Sequence, residues 1–333
     1  MNNKTNSSGR LGVTTTTTTT TTTAPDPCMV WIPGGTFMMG SDKHYPEEGP
    51  AHKVQVEGFW MDKFNVTNQE FARFVQETAY VTVAERPLKA EDYPGADPDM
   101  LQPGSLVFQK PNKRVDLNNF RNWWAFVHGA CWRHPEGPKS NLEGRWDHPV
   151  THVAWEDVDA YARWIGKDLP TEAEWEFACR GGQEGKVFEW GDEMAPNKKM
   201  LANFWQGEFP WQNLTLDGYE RTSPVGAFPP NGYGLFDMCG NVWEWTQDWF
   251  VFRHKVDKSK PCCTPFNPRG GNKEESYDPN QPDIRIPRKV LKGGSYLCAP
   301  NYCFRFRPAA RSPQMIDSGS CHIGFRCVVR VKS

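Results

Sequence analysis

The sequence predicts an α+β domain with a low content of regular secondary structure. Helical periodicity is confined to three stretches between residues 67 and 179, and the strand-like runs are short and separated by turn residues. The 15 Trp, 28 Pro and 29 Gly among 333 residues describe irregular backbone held by aromatic packing and by bound ions.

Taken in order, residues 1–26 form a polar tail with ten consecutive threonines, Thr14 to Thr23, that need not fold. Residues 27–333 read as one domain. Met29 to Gly40 reads as a strand, a Pro-Gly-Gly turn and a second strand, and Val54 to Trp60 as another. Thr67-Asn68-Gln69-Glu70 is a capping box, and Phe71, Phe74 and Val75 follow at helical spacing. Pro87 to Asn119 reads mostly as loop, broken at Pro94-Gly95, Asp97-Pro98 and Pro103-Gly104. The aromatic-rich Trp123-Trp124 and Cys131 to Pro135 read as irregular. A second helix is predicted over Trp155 to Ile165, burying Val158, Tyr161, Ala162 and Ile165. A third opens on the capping box Thr171 to Glu174 and closes at Gly181-Gly182. Beyond residue 183 short strand-like pieces alternate with turns, Lys255 to Pro287 reads as a surface loop, and Val290 to Gly293 and Gly324 to Arg330 as the last strands.

Composition excludes several function classes. A net charge of −2 argues against nucleic-acid binding, which favours a basic surplus. There is no apolar run long enough for a transmembrane helix and no apolar signal core, so a cytoplasmic protein without a membrane partner is expected. The ten cysteines include no Cys-x-x-Cys pair, which disfavours a zinc ribbon or thioredoxin-type motif.

The most chemically loaded stretch is Val290 to Ser312. It places Cys298 and Cys303 on either side of Pro300, behind Gly293-Gly294-Ser295 and ahead of Arg305, Arg307 and Arg311. On an extended strand the two Cα atoms would lie about 16 Å apart. Ala299-Pro300-Asn301 supplies turn chemistry that can bring the sulfurs together. Two converging thiols can be a disulfide, a redox pair or half of a soft-metal site, and nearby arginines would favour thiolate. His148 and His152 have the spacing of helical metal ligands, but Pro149 opposes a helix, so structural histidines are expected. Two loops offer oxygen-rich backbone suited to calcium: Asn203-Phe204 with Asp217 to Tyr219, and Asp237 to Glu244. Solvated turns would explain the same residues. Phe188 and Trp190, or Trp243 and Trp245, could form an aromatic groove, although core packing is the ordinary fate of tryptophan.

Seven segments together resemble the formylglycine-generating enzymes, or sulfatase-modifying factors. They are Trp31 to Gly40, Trp132 to Pro138, Leu169 to Glu176, Asn203 to Pro210, Asn231 to Phe236, Gly240 to Trp245 and the two-cysteine stretch. The resemblance spans residues 29–330 and implies a domain of the C-type-lectin-like superfamily with structural calcium. It implies O₂-dependent oxidation of the cysteine in a Cys-x-Pro-x-Arg motif of an unfolded sulfatase polypeptide to formylglycine. Cys298 and Cys303 would bind Cu(I), with Ser295 and Tyr302 beside the reacting centre. Trp243, Arg311, Ala84 and Tyr302 would meet the substrate. Asn203, Phe204, Asp217 and Tyr219 match a first calcium site, and Asp237, Met238, Gly240, Val242 and Asn65 a second. A monomer is expected.

Three residues depart from the family pattern. Asn65 stands where relatives can place an acidic calcium ligand. Lys89 stands where an aspartate would pair with the substrate arginine, a role Glu85, Glu91 or Asp92 could take. Pro308 replaces a cysteine of secreted relatives, while Cys179 and Cys327 fall where some relatives carry a disulfide. Two other readings compete. An iron-dependent sulfoxide synthase of the ergothioneine type would need a glutamate where Ala154 stands and a separate helical domain. A non-catalytic sulfatase-binding paralogue would lack the Cys298 and Cys303 pair.

Overall fold

In the computed structural model the described residues are 23–256 and 264–331. Most of the threonine-rich tail, and Cys262 and Cys263, lie outside them. Where the chain becomes described it already leans on the domain: Asp26 accepts a hydrogen bond from Lys167 at 3.1 Å.

The first two strands are β1 (Met29–Ile32) and β2 (Gly35–Met39), joined by the expected turn. The single strand expected over Val54 to Trp60 is two, β3 (His52–Val56) and β4 (Phe59–Asp62). Glu57 and Gly58 fall between them, and Gly58 lies against Trp31, where a Cβ would come within 2.3 Å of the indole. Helix α1 (Asn68–Thr78) starts at the capping box, with Thr67 and Glu70 bonded reciprocally, and buries Phe71, Phe74 and Val75.

The loop reading of Pro87 to Asn119 is corrected by β5 (Gly104–Phe108), which pairs antiparallel with β6 (Trp124–His128). Local turn signals hid a hairpin whose partner lies beyond a long connection. Helix α2 (Trp155–Trp164) ends with Ile165 half-buried rather than in the core, and Asp157 caps it by accepting the Ala154 N–H at 2.8 Å. Helix α3 (Glu172–Arg180) closes at Gly181, as predicted.

The C-terminal half is organised by β7 (Trp243–Trp249), which the turn-rich reading of that region did not single out. It is the second strand of the largest sheet, in the order β10 (Ile323–Gly324), β7, β8 (Arg288–Lys292), β9 (Arg311–Met315). The final predicted strand is split between β10 and β11 (Val328–Arg330), the latter completing a three-stranded sheet with β1 and β4. The rest is turn and irregular loop, so the α+β expectation of low regular content holds.

Aromatic side chains fill the space between these elements. Trp123, Trp175, Trp205 and Trp245 are among the largest fully buried groups. The core also holds charge: Arg307 pairs with Glu48, Arg311 with Glu172, Lys292 with Glu176 and Arg326 with Glu244, all buried. Such pairs are costly to desolvate, but removing one partner would leave a bare charge. Among the described residues no helix is long and apolar enough to cross a membrane.

Candidate active site: a buried thiol pair

The thiol stretch leaves β8 through Gly293 and Gly294. Gly294 has φ +71°, and a Cβ there would lie 2.8 Å from the Phe306 backbone, so only glycine allows this return of the chain. Ser295 then closes the next turn: its carbonyl accepts the Cys298 N–H at 2.9 Å and its Oγ the Leu297 N–H at 3.2 Å. The Ala299 carbonyl accepts both the Tyr302 N–H at 3.0 Å and the Cys303 N–H at 2.7 Å. This turn brings the Cys298 and Cys303 sulfurs to 3.1 Å, as free thiols.

The two sulfurs sit in different surroundings. Cys298 is buried, and burial pushes its thiol well above the ordinary range. Cys303 is only half-buried. Its pKa is lowered to about 7, chiefly by the hydrogen bond from the Cys298 thiol and further by the Arg305 guanidinium, whose Nη1 lies 3.9 Å from its sulfur. The contrast in surroundings makes Cys303 the more readily ionised of the two and Cys298 the one that stays a thiol. Of the three arginines expected near the sulfurs, only Arg305 reaches them. Arg307 and Arg311 are each claimed by a buried glutamate.

Tyr302 is 40% exposed next to Cys303, stacked on Phe209 at 4.6 Å and edge-on to Trp123 at 5.5 Å. Of these rings only Tyr302 reaches the surface, and the buried Phe209 and Trp123 brace it from within. Trp243 shares an apolar cluster with Cys298 but is buried there, so it supports the site from within and lines no open groove. Phe188 and Trp190 do stack on each other, at 4.9 Å. Arg311 is fully buried, with Glu172 and the Val251 carbonyl as partners, so no surface is left for a peptide. Ala84 is buried in a short turn, Val83–Glu85, that is anchored to Asp157. The structure thus gathers Cys298, Cys303, Ser295, Tyr302 and Trp243, and leaves Arg311 and Ala84 away from solvent.

Of the acids considered for the substrate arginine, Glu85 is committed to capping Thr82, while Glu91 and Asp92 are exposed beside Lys89. The histidines are structural, as expected. His148 meets Thr222, and the fully buried His152 bonds Ser105 and the Pro135 carbonyl, burial lowering its pKa to about 4.

The oxygen-rich loops pack directly behind the thiols. In the first, the Phe204 carbonyl and Asp217 Oδ2 converge on one donor, the Gln206 amide, and Asn203 Oδ1 is buried without a partner. Asp217 Oδ1 accepts the Tyr219 N–H at 2.9 Å, and burial raises the carboxyl above its usual range. Two converging oxygens, with an orphaned amide oxygen on the adjacent residue, suit a hard cation. In the second, Asn65 Oδ1 is likewise buried and unpartnered, its amide donating to Glu244 at 2.9 Å. Asp237 is buried with its pKa raised to about 6 by desolvation. Gly240 has φ +87° with the Asn203 carbonyl 2.3 Å from where its Cβ would be, so the second loop is pressed onto the first. No three His, Cys, Asp or Glu side chains group as a metal site among the described residues, so carbonyl and amide oxygens would carry much of the ligation. The first loop touches the thiol stretch: Trp205 N–H donates to the Cys298 carbonyl at 3.0 Å, Phe204 stacks on Phe306 at 4.2 Å and Phe209 on Tyr302.

Comparison with known proteins decides the family. Residues 14–331 match the model of the sulfatase-modifying factor enzyme 1-like domain. The chain belongs to this family. It is 51% identical to a formylglycine-generating enzyme of Mycobacterium tuberculosis, over 90% of this chain and 97% of that protein. It is 43% identical to the formylglycine-generating enzyme of Mus musculus, covering 90% and 74%. A mouse protein described as an inactive C-alpha-formylglycine-generating enzyme 2 is also similar, at 39% identity over 91% and 86%. Among solved structures, PvdO from Pseudomonas aeruginosa shares the fold, with TM-score 0.60 at 22% identity over 91% of this chain and 94% of that one.

Sequence reasoning named Arg305 beside Arg307 and Arg311 without singling it out, and missed Tyr45 and Glu47, which hold it. Its position two residues after Cys303 was the only signal for Arg305. Nothing local marks Tyr45 or Glu47, which meet it across more than 250 residues.

Proposed function

We propose that this protein converts the cysteine of a Cys-x-Pro-x-Arg motif in an unfolded sulfatase polypeptide to formylglycine. The observation that carries the reading is the pair of adjacent thiols of unlike acidity, one buried and one reachable, in a member of this family. Two sulfurs 3.1 Å apart suit a soft monovalent cation such as Cu(I). When bound, copper would supply the redox chemistry with dioxygen. The substrate CH₂–SH loses two electrons and two protons to become a thioaldehyde, which water hydrolyses to the aldehyde and hydrogen sulfide. Dioxygen takes those two electrons and two protons, and two external thiols, joining as a disulfide, supply the two further electrons and protons that carry it to two waters.

The chain's own residues prepare this step. Ser295 and the Ala299 carbonyl fix the turn that sets the two sulfurs side by side. Cys303, half-buried, faces the incoming peptide, while the exposed Tyr302, braced by Phe209 and Trp123, offers it an aromatic contact. Calcium in both oxygen-rich loops is structural in this reading, the orphaned Asn203 and Asn65 oxygens being its support. The domain acts as a cytoplasmic monomer.

Copper-loaded protein incubated in air with a Cys-x-Pro-x-Arg peptide is expected to yield an aldehyde by mass spectrometry. A peptide recovered unchanged would refute the reading. In the same assay, replacing the peptide arginine by alanine should cost about 1–3 kcal/mol in kcat/KM if Glu91 or Asp92 pairs with it. An unchanged kcat/KM would mean that Lys89 marks a relaxed motif.

A further inference from the structure

The thiol turn is gripped by a segment far away in sequence. The connection between β2 and β3 contains a short turn, Pro46–Glu48, preceded by Tyr45. The Tyr45 hydroxyl accepts the Phe304 N–H at 2.9 Å, and its ring lies 3.8 Å from the Arg305 guanidinium. Glu47 Oε1 accepts from Arg305 at 2.7 Å, and the Glu47 carbonyl accepts from Arg311 at 3.2 Å. Glu48 takes both terminal nitrogens of Arg307, one at 2.9 Å. The residues immediately after Cys303 are therefore held one by one from outside the turn.

Two kinds of contact are distinguishable here. The Glu48 and Arg307 side chains are 0% and 1% exposed, and their pair belongs to the core. Glu47 and Arg305 are 12% and 25% exposed, at the edge, where an ion pair adds less to stability. Yet Arg305 is the charged side chain beside the Cys303 sulfur. Glu47 takes Nη2 and the Tyr45 ring lies against the guanidinium, while Nη1 is the nitrogen nearest the Cys303 sulfur.

We infer that Tyr45 and Glu47 are positioning residues of the thiol pair: they fix Phe304 and Arg305, and through them the place of the Cys303 sulfur relative to Cys298. The inference rests on the proposed two-thiol site for its link to copper. It concerns no direct contact with substrate.

The test uses the full chain carrying Glu47→Gln, Tyr45→Phe or Glu47→Asp. Three quantities are measured: melting temperature, Cu(I) affinity by competition with a chromophoric chelator, and the alkylation rate of Cys303 relative to Cys298 by peptide mass spectrometry. Glu47→Gln and Tyr45→Phe are expected to weaken Cu(I) about tenfold, as outer partners of metal ligands do, and to change the alkylation ratio about threefold or more. Glu47→Asp, keeping the carboxylate, should recover most of both. Glu48→Gln serves as the comparison that lowers melting temperature. Unchanged Cu(I) affinity and alkylation ratio in both Glu47→Gln and Tyr45→Phe, whatever the melting temperature, would overturn the inference. Wild-type protein that takes up no Cu(I) would instead refute the proposed function, and the alkylation ratio alone would then decide the positioning role.

Discussion

At the scale of single residues, the site is a contrast between two sulfurs five positions apart. Burial holds Cys298 protonated, while its thiol and Arg305 favour the Cys303 thiolate, whose pKa falls to about 7. A thiolate is the reactive form, so in metal-free protein alkylation of Cys303 should rise as pH passes through about 7, with Cys298 far slower. Equal rates, or a rise only above the ordinary thiol range, would contradict this asymmetry; time-resolved peptide mapping reads it directly. The pair itself was legible in the sequence, because the turn that joins it is local. The fate of the arginines was not. Arg307 and Arg311 are claimed by Glu48 and Glu172, 259 and 139 residues away, and no local pattern announces such pairings.

At the scale of elements, the helices were readable because capping boxes and apolar spacing are written within a dozen residues. The strands were readable only where a turn signal bounded them. Hairpin β5–β6 escaped because its partners are separated by a loop. In β7 Trp243, Trp245 and Trp249 fall on alternate positions, but Gln247 interrupts the pattern and the intervening Glu244, Thr246 and Asp248 are buried as well, so it does not divide into an apolar and a solvated face. The Gly293-Gly294 pair was visible in the sequence as the entry to the cysteines, but that it turns the chain back needed the fold. Gly294→Ala should destabilise the protein by about 2–3 kcal/mol, since it meets both a left-handed φ and the Phe306 backbone. Denaturant unfolding that shows no loss would mean that this turn relaxes freely.

At the scale of the whole molecule, the thiol turn is a surface feature braced from behind by loops that are poor in regular hydrogen bonding. The Asn203 and Gly240 loops are pressed together, and the first bonds the Cys298 carbonyl through Trp205. If calcium fills these loops, chelation at low free calcium should lower the melting temperature, and Asp217→Ala should do the same with Cu(I) stoichiometry retained. A melting temperature indifferent to chelator would refute calcium in both loops. The sequence showed these loops as oxygen-rich but could not show that they abut, because that depends on Gly240 packing against a carbonyl of the other loop.

The central claim is that Cys298 and Cys303 act together as the soft-metal site of an oxidase. It is tested most directly by measuring Cu(I) stoichiometry and peptide-aldehyde formation for Cys298→Ser and Cys303→Ser beside the wild type. Serine offers a hard, protonated oxygen to a soft ion. The expected result is that each substitution abolishes aldehyde formation and removes tight Cu(I) binding while the protein remains folded. Substantial copper-dependent turnover in either variant would contradict the account.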